Sequence, residues 1–520
     1  MRSLRLSVPV LLALCLFDSA GLAQTYEQKL DAIKEFKRFY RLYKEPEQKV
    51  EAIFALEDAD CPEAIQALRP VLKSKVPKIR AAAIKVLSGF RESATFSAVL
   101  AEMEEMKDRP LRAVLMEVLS RAKRKDLRVL IRSLWDKDGP GKLSFAERFQ
   151  MARALGRLGG LGYEDILQKL AYDKKFEVQI AALDSIKKSH LADLGSKLVP
   201  LIDSPIWQVQ VAAIECHGGL RTREAVEPLI QLLKKGGRLK IDASEALFKI
   251  TARDYGTDYE LWNRQWKFLT SIKGFRLPTD AELEKAAESR KKYDALYGKS
   301  AGSKQFAGIP TTSTRVVFVI DVSASMNDVV VDREKFRDRN YPSFQRLAIV
   351  KSELLRTIDS LDRTTHFNII SFASRVRTWK KWLVPGNINN RASAMSYVKA
   401  LKPVGTGEGI PFGGGGADGS GKTNTYEALM TAFDLDPAKD FVVTGKTKKR
   451  SLKLDTIYFL TDGRPTIGKY VDVEDILREV KKINEVRKIV IHCISIGEFQ
   501  ASFLRRLAAN NGGVFVDLGG

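Results

Sequence analysis

A six-residue pattern of apolar, polar, variable, Ala, Ala, apolar recurs along the first half of this 520-residue chain. It stands at Ile79-Arg-Ala-Ala-Ala-Ile84, Val178-Gln-Ile-Ala-Ala-Leu183 and Val209-Gln-Val-Ala-Ala-Ile214. Val178 and Val209 lie 31 residues apart, and a looser copy, Ile241-Asp-Ala-Ser-Glu-Ala246, begins 32 residues after Val209. A constant period of that size, longer than one helix and shorter than one domain, restricts the chain to stacked helical units that bury their faces against their neighbours. Paired Ala at helix centres lets adjacent helices approach closely, and stretches such as Ala225-Val-Glu-Pro-Leu-Ile-Gln-Leu-Leu233 supply the second helix of a unit.

The array, over residues 24–270, looks like HEAT repeats; an armadillo-like or irregular α-superhelix fits the same degenerate pattern. Solenoids present long concave surfaces, so a partner-binding role and a plain spacer role are both open. Trp262 and Trp266, at the end of the array, are expected to cover its open apolar face, with stacking on a glycan as the other reading. Residues 271–310 turn charged and small, with Glu282-Leu-Glu-Lys-Ala-Ala-Glu-Ser-Arg-Lys-Lys292 before Gly298-Lys-Ser-Ala-Gly-Ser-Lys304. A solvated helix and a flexible tether are predicted there, leaving the flanking domains free to move independently.

The last two fifths of the chain carry a different grammar. Apolar runs at Val316–Ile320, Phe367–Phe372, Thr456–Leu460 and Ile489–Ile496 alternate with helical patterns, which predicts a parallel sheet wound on both faces. Asp321-Val-Ser-Ala-Ser325 follows the first run, placing three oxygen side chains at alternate positions where a buried strand ends. One carboxylate and two hydroxyls on one loop suit a hard divalent cation. Two later segments add oxygens: Gly421-Lys-Thr-Asn-Thr425 ahead of a helix, and Thr461-Asp-Gly463 after another run.

With these segments in order, residues 311–520 resemble a von Willebrand factor A (vWA) domain. The resemblance implies a doubly wound, Rossmann-like α/β fold and a metal-ion-dependent adhesion site (MIDAS) formed by Asp321, Ser323, Ser325, Thr423 and Asp462. The implied ion is Mg²⁺, with Mn²⁺ or Ca²⁺ as alternatives, and the implied partner is a protein that offers an acidic residue to it. The fold expected of the whole chain is therefore multidomain: an all-α solenoid joined to an α/β doubly wound domain.

Gly416-Ala-Asp-Gly-Ser-Gly-Lys-Thr423 also matches the phosphate-cradling expression G-x-x-x-x-G-K-[ST]. Such a loop follows directly from a buried strand, whereas here Gly405-Thr-Gly-Glu-Gly-Ile-Pro-Phe-Gly-Gly-Gly415 precedes it. The stretch Gly405–Ser420 reads instead as an insertion beside the metal, either a flap over a bound ligand or a passive spacer. A metal-dependent phosphoryl-transfer or nucleotide-hydrolysing enzyme, and a structural scaffold without metal function, are the rivals to a binding module. Because the residues show no evident nucleophile or general base, the chain is expected not to be an enzyme.

Residues 1–23 have the order of a secretory signal: basic Met1–Arg5, apolar Leu6–Phe17, and small Gly21 and Ala23 before a cut. Secretion, or delivery to a periplasm or cell envelope, is expected, and no other run is long and apolar enough to span a membrane. Cys61, Cys216 and Cys493 are widely spaced and read as buried thiols. The formal charge of +22 favours acidic partners. An anionic envelope polymer is one candidate; nucleic acid is not expected, as no recognition motif appears and Lys446–Arg450 reads as a solvated loop.

Overall fold

The structure, a computed structural model, describes residues 25–297, 305–310, 313–337, 341–404, 421–435, 454–497 and 501–518. The signal-like segment, the Gly405–Ser420 stretch, most of the phosphate-loop match and the Lys446–Arg450 run lie outside these residues. Two compact units emerge, residues 1–159 and 160–520.

The first unit is all helix, from Tyr26–Leu42 to Phe145–Leu158. Its helices start where the sequence supplies caps: Thr25 with Gln28 and Ser144 with Glu147 form capping boxes that satisfy otherwise orphaned backbone amides. Their apolar faces meet in a core that includes Ile53, Leu68, Ala83, Leu87, Met103, Leu119 and Ile131. One charged pair is sealed inside it: Arg112 Nε donates to Glu147 Oε1 at 2.7 Å, with both side chains almost wholly removed from solvent.

The second unit begins with more helices of the same kind. We label α1 (Phe176–Lys188), α2 (Trp207–Leu220) and α3 (Arg238–Thr251), which pack side by side. Ala181 and Ala182 of α1 and Ala212 and Ala213 of α2 are buried, as paired Ala at helix contacts requires. Trp262 and Trp266 are buried too; Trp262 Nε1 donates to the Gly256 carbonyl at 2.9 Å and its ring meets Tyr255 edge-on. They serve as a cover for the array, and neither ring offers the open face that stacking on a glycan needs.

The rest of the unit is an α/β layer structure. Its sheet comprises β1 (Arg315–Asp321), β2 (His366–Phe372), β3 (Val376–Thr378), β4 (Val384–Pro385), β5 (Thr456–Thr461), β6 (Val490–Ser495) and β7 (Phe515–Asp517). The order is β3-β2-β1-β5-β6-β7, parallel from β2 to β7, with β3 and β4 antiparallel to β2 at the edge. The central strands β1 and β5 are buried on both faces, so they read as continuous apolar runs rather than alternating ones. Helices α4 (Arg346–Ser360), α5 (Ile388–Ala400), α6 (Thr425–Asp434), α7 (Val473–Arg487) and α8 (Ala501–Asn510) complete the layers.

The two halves of this unit do not behave as independent bodies on a tether. Trp207 and Val211 of α2 belong to the same buried cluster as Val317, Ile457, Phe459 and Leu477 of the α/β part. Lys488, held in a left-handed conformation just after α7, sends its ammonium to both carboxylate oxygens of Asp184 at 3.1 and 3.2 Å and to Glu215 at 3.3 Å. Arg238 donates to the carbonyls of Lys488 and Asp455 and pairs with Asp242. Except for Arg238 with Asp242, these contacts come from residues far apart in sequence, so composition alone could not reveal them.

Candidate metal centre

β1 runs from Arg315 to Asp321 and β5 from Thr456 to Thr461 in parallel, so both deliver their next polar residues to one edge of the sheet. Ligands of open α/β sheets bind at that carboxyl edge. Asp321, the last residue of β1, is fully buried. Its Oδ1 accepts the Ser323 amide at 2.8 Å, folding the Asp-x-Ser turn back on itself, and its Oδ2 accepts the Thr461 hydroxyl. Ser323 Oγ lies 3.2 Å from Ser325 Oγ, and Ser325 Oγ donates to Asp462 Oδ1 at 2.8 Å.

Thr423 arrives from the second loop, pinned by backbone bonds on both sides. Its amide donates to Thr466 Oγ1 at 2.8 Å, its carbonyl accepts the Thr466 amide at 2.9 Å, and the Asn424 amide donates to the Ala373 carbonyl. Gly421 makes the approach of this loop feasible. It sits at φ +55°, and a Cβ there would come within 2.7 Å of Ala324 Cβ and 2.8 Å of the Val404 carbonyl. A Cβ built on Gly463 would be 3.3 Å from Thr423 Oγ1 and 3.8 Å from Ser325 Oγ, which shows how closely these hydroxyls converge.

All five residues predicted from sequence, Asp321, Ser323, Ser325, Thr423 and Asp462, therefore meet at one place. Others that contact them were not anticipated: Thr461 on Asp321, Thr466 on Thr423, and Arg346, at the start of α4, whose Nη1 donates to Asp462 Oδ2 at 2.8 Å. Thr461 adjoins Asp462 and could have been suspected, whereas Arg346 is over a hundred residues away and carries no local signal.

The recess holds two buried carboxyls, one of them paired with Arg346. Burial pushes the Asp321 carboxyl up to about 7, and Asp462 adds to the rise. Asp462 is also raised, chiefly by burial, against the opposing pull of Arg346 and the Ser325 hydroxyl. Two buried carboxylates with three hydroxyls form a hard-oxygen donor set that a divalent cation would relieve of its desolvation cost. That set fits Mg²⁺ or Mn²⁺ better than soft metals. Among the described residues no group of three or more His, Cys, Asp and Glu side chains gathers to hold a metal, so these mixed carboxylate and hydroxyl oxygens are the candidate ligands. The thiols of Cys61, Cys216 and Cys493 are free and buried elsewhere.

The fold and site define a domain class that comparison with known proteins supports. Residues 316–464 match the von Willebrand factor type A domain, a protein-interaction type of module, and residues 42–139 match HEAT repeats, so the chain carries both. Among curated relatives it is 27% identical over 263 residues to inter-alpha-trypsin inhibitor heavy chain H4 of Homo sapiens, covering 46% of this chain and 24% of that protein. To heavy chain H2 of Homo sapiens it is 29% identical over 202 residues, covering 38% and 17%. The chain thus spans about a quarter or less of these relatives' lengths. A solved von Willebrand factor type A protein from Catenulispora acidiphila is 19% identical over 40% of this chain and 39% of its own, at a TM-score of 0.26, too low to support any further comparison.

Proposed function

We propose that this chain is an exported binding protein of adhesion type, whose A domain grips an acidic residue of a protein ligand through a divalent cation. The observation that carries the reading is the convergence of Asp321, Ser323, Ser325, Thr423 and Asp462 from three loops at the carboxyl edge of the sheet. Asp321 and Asp462 would bind the ion directly or through water, and the three hydroxyls would complete the protein side of the shell. Two carboxylates formally balance a divalent ion, but where either acts through water the metal would keep more positive charge, and the chemistry it would supply is attraction for a third carboxylate from the partner.

Binding rather than catalysis is proposed because the polar groups spend their hydrogen bonds on one another. Ser323 and Ser325 face each other and Asp462, not a histidine or another base that would activate a nucleophile. Lys422 of the phosphate-loop expression is exposed, with its amide on Ser374 Oγ.

Charge favours an acidic partner over more than the metal itself. From Arg363 to Val404 there is no Asp or Glu but eight Lys or Arg, and this stretch forms the edge strands β3 and β4 and helix α5. Lys381 lies over the exposed ring of Trp382 on that edge. An anionic envelope polymer could occupy the same flank. The helical repeats are proposed as a second interaction surface or as a rigid mount.

The test is calorimetry with Mg²⁺ and Mn²⁺ on the full chain and on Asp321→Ala, with Lys422→Ala titrated with ATP beside them. Metal binding that Asp321→Ala abolishes, with no ATP response, is expected. Equal heats in wild type and Asp321→Ala would overturn the metal reading.

A further inference from the structure

Arg346 occupies an unusual position for a cation. Its side chain is 11% exposed, and its guanidinium reaches into the carboxyl edge of the sheet to pair with Asp462, whose own side chain is fully buried. The same Nη1 that lies 2.8 Å from Asp462 Oδ2 stands 3.3 Å from the Ser325 carbonyl and 3.5 Å from Asp328 Oδ2. The slot is built for it: Gly497, at φ +124°, lies under the guanidinium, and a Cβ there would come within 3.1 Å of Arg346 Cζ. The Arg346 amide also donates to the Asp328 carbonyl at 2.9 Å, so the residue is anchored to the loop that carries its second carboxylate.

Arg346 has two acidic partners that differ in kind: Asp462 belongs to the donor set, while the Asp328 side chain is 63% exposed and belongs to none. A guanidinium and a divalent ion cannot share Asp462 without mutual repulsion across a poorly solvated space, where charges interact more strongly than in water. With Arg346 on Asp462, the recess stays neutralised and folded when it holds no ion. With Arg346 turned to Asp328, Asp462 is free to serve the shell.

We propose that Arg346 is a built-in placeholder for the cation, exchanging Asp462 for Asp328 as the ion is taken up, and so setting the affinity of the site. This rests on the metal-binding reading above.

The experiment is calorimetry with Mn²⁺ at pH 8 on the full chain and on Arg346→Met, Arg346→Lys, Asp328→Asn and the double variant, with thermal melting of each metal-free protein. Removing the competing charge in Arg346→Met is expected to tighten Mn²⁺ binding about tenfold while lowering the metal-free melting temperature. Arg346→Lys, which keeps the charge, should stay near wild type. Asp328→Asn should weaken binding by about threefold, and that loss should vanish in the double variant, the signature of coupled residues.

Wild-type binding with Arg346→Met no tighter and Asp328→Asn no weaker would overturn the placeholder and leave the metal site standing. No Mn²⁺ binding in wild type or in any variant would overturn both. Should Arg346→Met fail to fold, the exposed Asp328→Asn still decides, since unchanged affinity there contradicts the exchange.

Discussion

Asp321 shows how a single side chain can be structural and functional at once. It closes its own loop through the Ser323 amide and ties β1 to β5 through the Thr461 hydroxyl, yet burial makes its charge costly. Asp321→Asn should therefore keep the fold, because an amide can retain part of this hydrogen-bonding while shedding the charge, and should lose Mg²⁺ binding. Unaltered far-ultraviolet circular dichroism with flat calorimetry is the expected pair of results. Gly421 is the second sensitive position. Gly421→Val would place a branched side chain where Ala324 and the Val404 carbonyl already sit, at a φ that disfavours it, displacing the loop that carries Thr423. A fall in melting temperature together with weaker metal binding is expected, and an unchanged melting curve would show that the loop gives way freely.

At the scale of elements, the sequence was most legible where physics is local. The strands β1, β2 and β5 and the helices α7 and α8 announce themselves by apolar runs, helical spacing and caps such as Asp472. The three segments that meet at the carboxyl edge were legible through their resemblance, in order, to the vWA pattern rather than through any one of them alone. The edge pieces β3 and β4 were not, since Val376–Thr378 and Val384–Pro385 are too short to show a period and exist only by pairing with β2. Nor could sequence expose the contact of α1, α2 and α3 with β5 and α7, which pairs Lys488 with Asp184 and Glu215 from hundreds of residues away.

That contact makes predictions of its own. Burial lowers and its two carboxylate neighbours raise the affinity of Lys488 for its proton, and the carboxylates prevail. Lys488→Met would leave Asp184 and Glu215 with Lys187 still beside both, so the loss should fall below the roughly 3–5 kcal/mol of breaking a fully buried pair, Glu215 being partly exposed. Chemical denaturation should show that loss, with the metal site still able to bind its ion. Burial raises the Glu215 carboxyl, but Lys488, Lys187 and Arg238 outweigh it and hold the group at about 2, below its usual 4.5. A carboxylate depressed in the folded state contributes stability above its unfolded value that is lost as pH falls through the folded one. Melting temperature should thus fall between pH 4.5 and 2, and less steeply in Glu215→Gln.

For the whole molecule, the expectation of an α-helical array and a doubly wound domain is met, while the freely hinged arrangement within residues 160–520 is not. Excising the α/β part alone would expose the faces that Trp207 and Val211 cover, so residues 305–520 expressed alone should melt lower than residues 160–520 and bind a hydrophobic dye more strongly. Similar melting and dye binding would mean that the contact contributes little.

The Lys488 and Arg238 contacts and the loops of the candidate metal centre sit at opposite ends of the same strands. Asp455 and Lys488 precede β5 and β6, whereas Asp321 ends β1 and Asp462 follows β5. Tension applied by a partner at Asp321 would run lengthwise down β1 and β5, loading their inter-strand hydrogen bonds in shear, all together rather than one after another. It would then leave through Lys488 and Arg238 into α1, α2 and α3. The covalent path between the two halves need carry none of that load while these contacts hold.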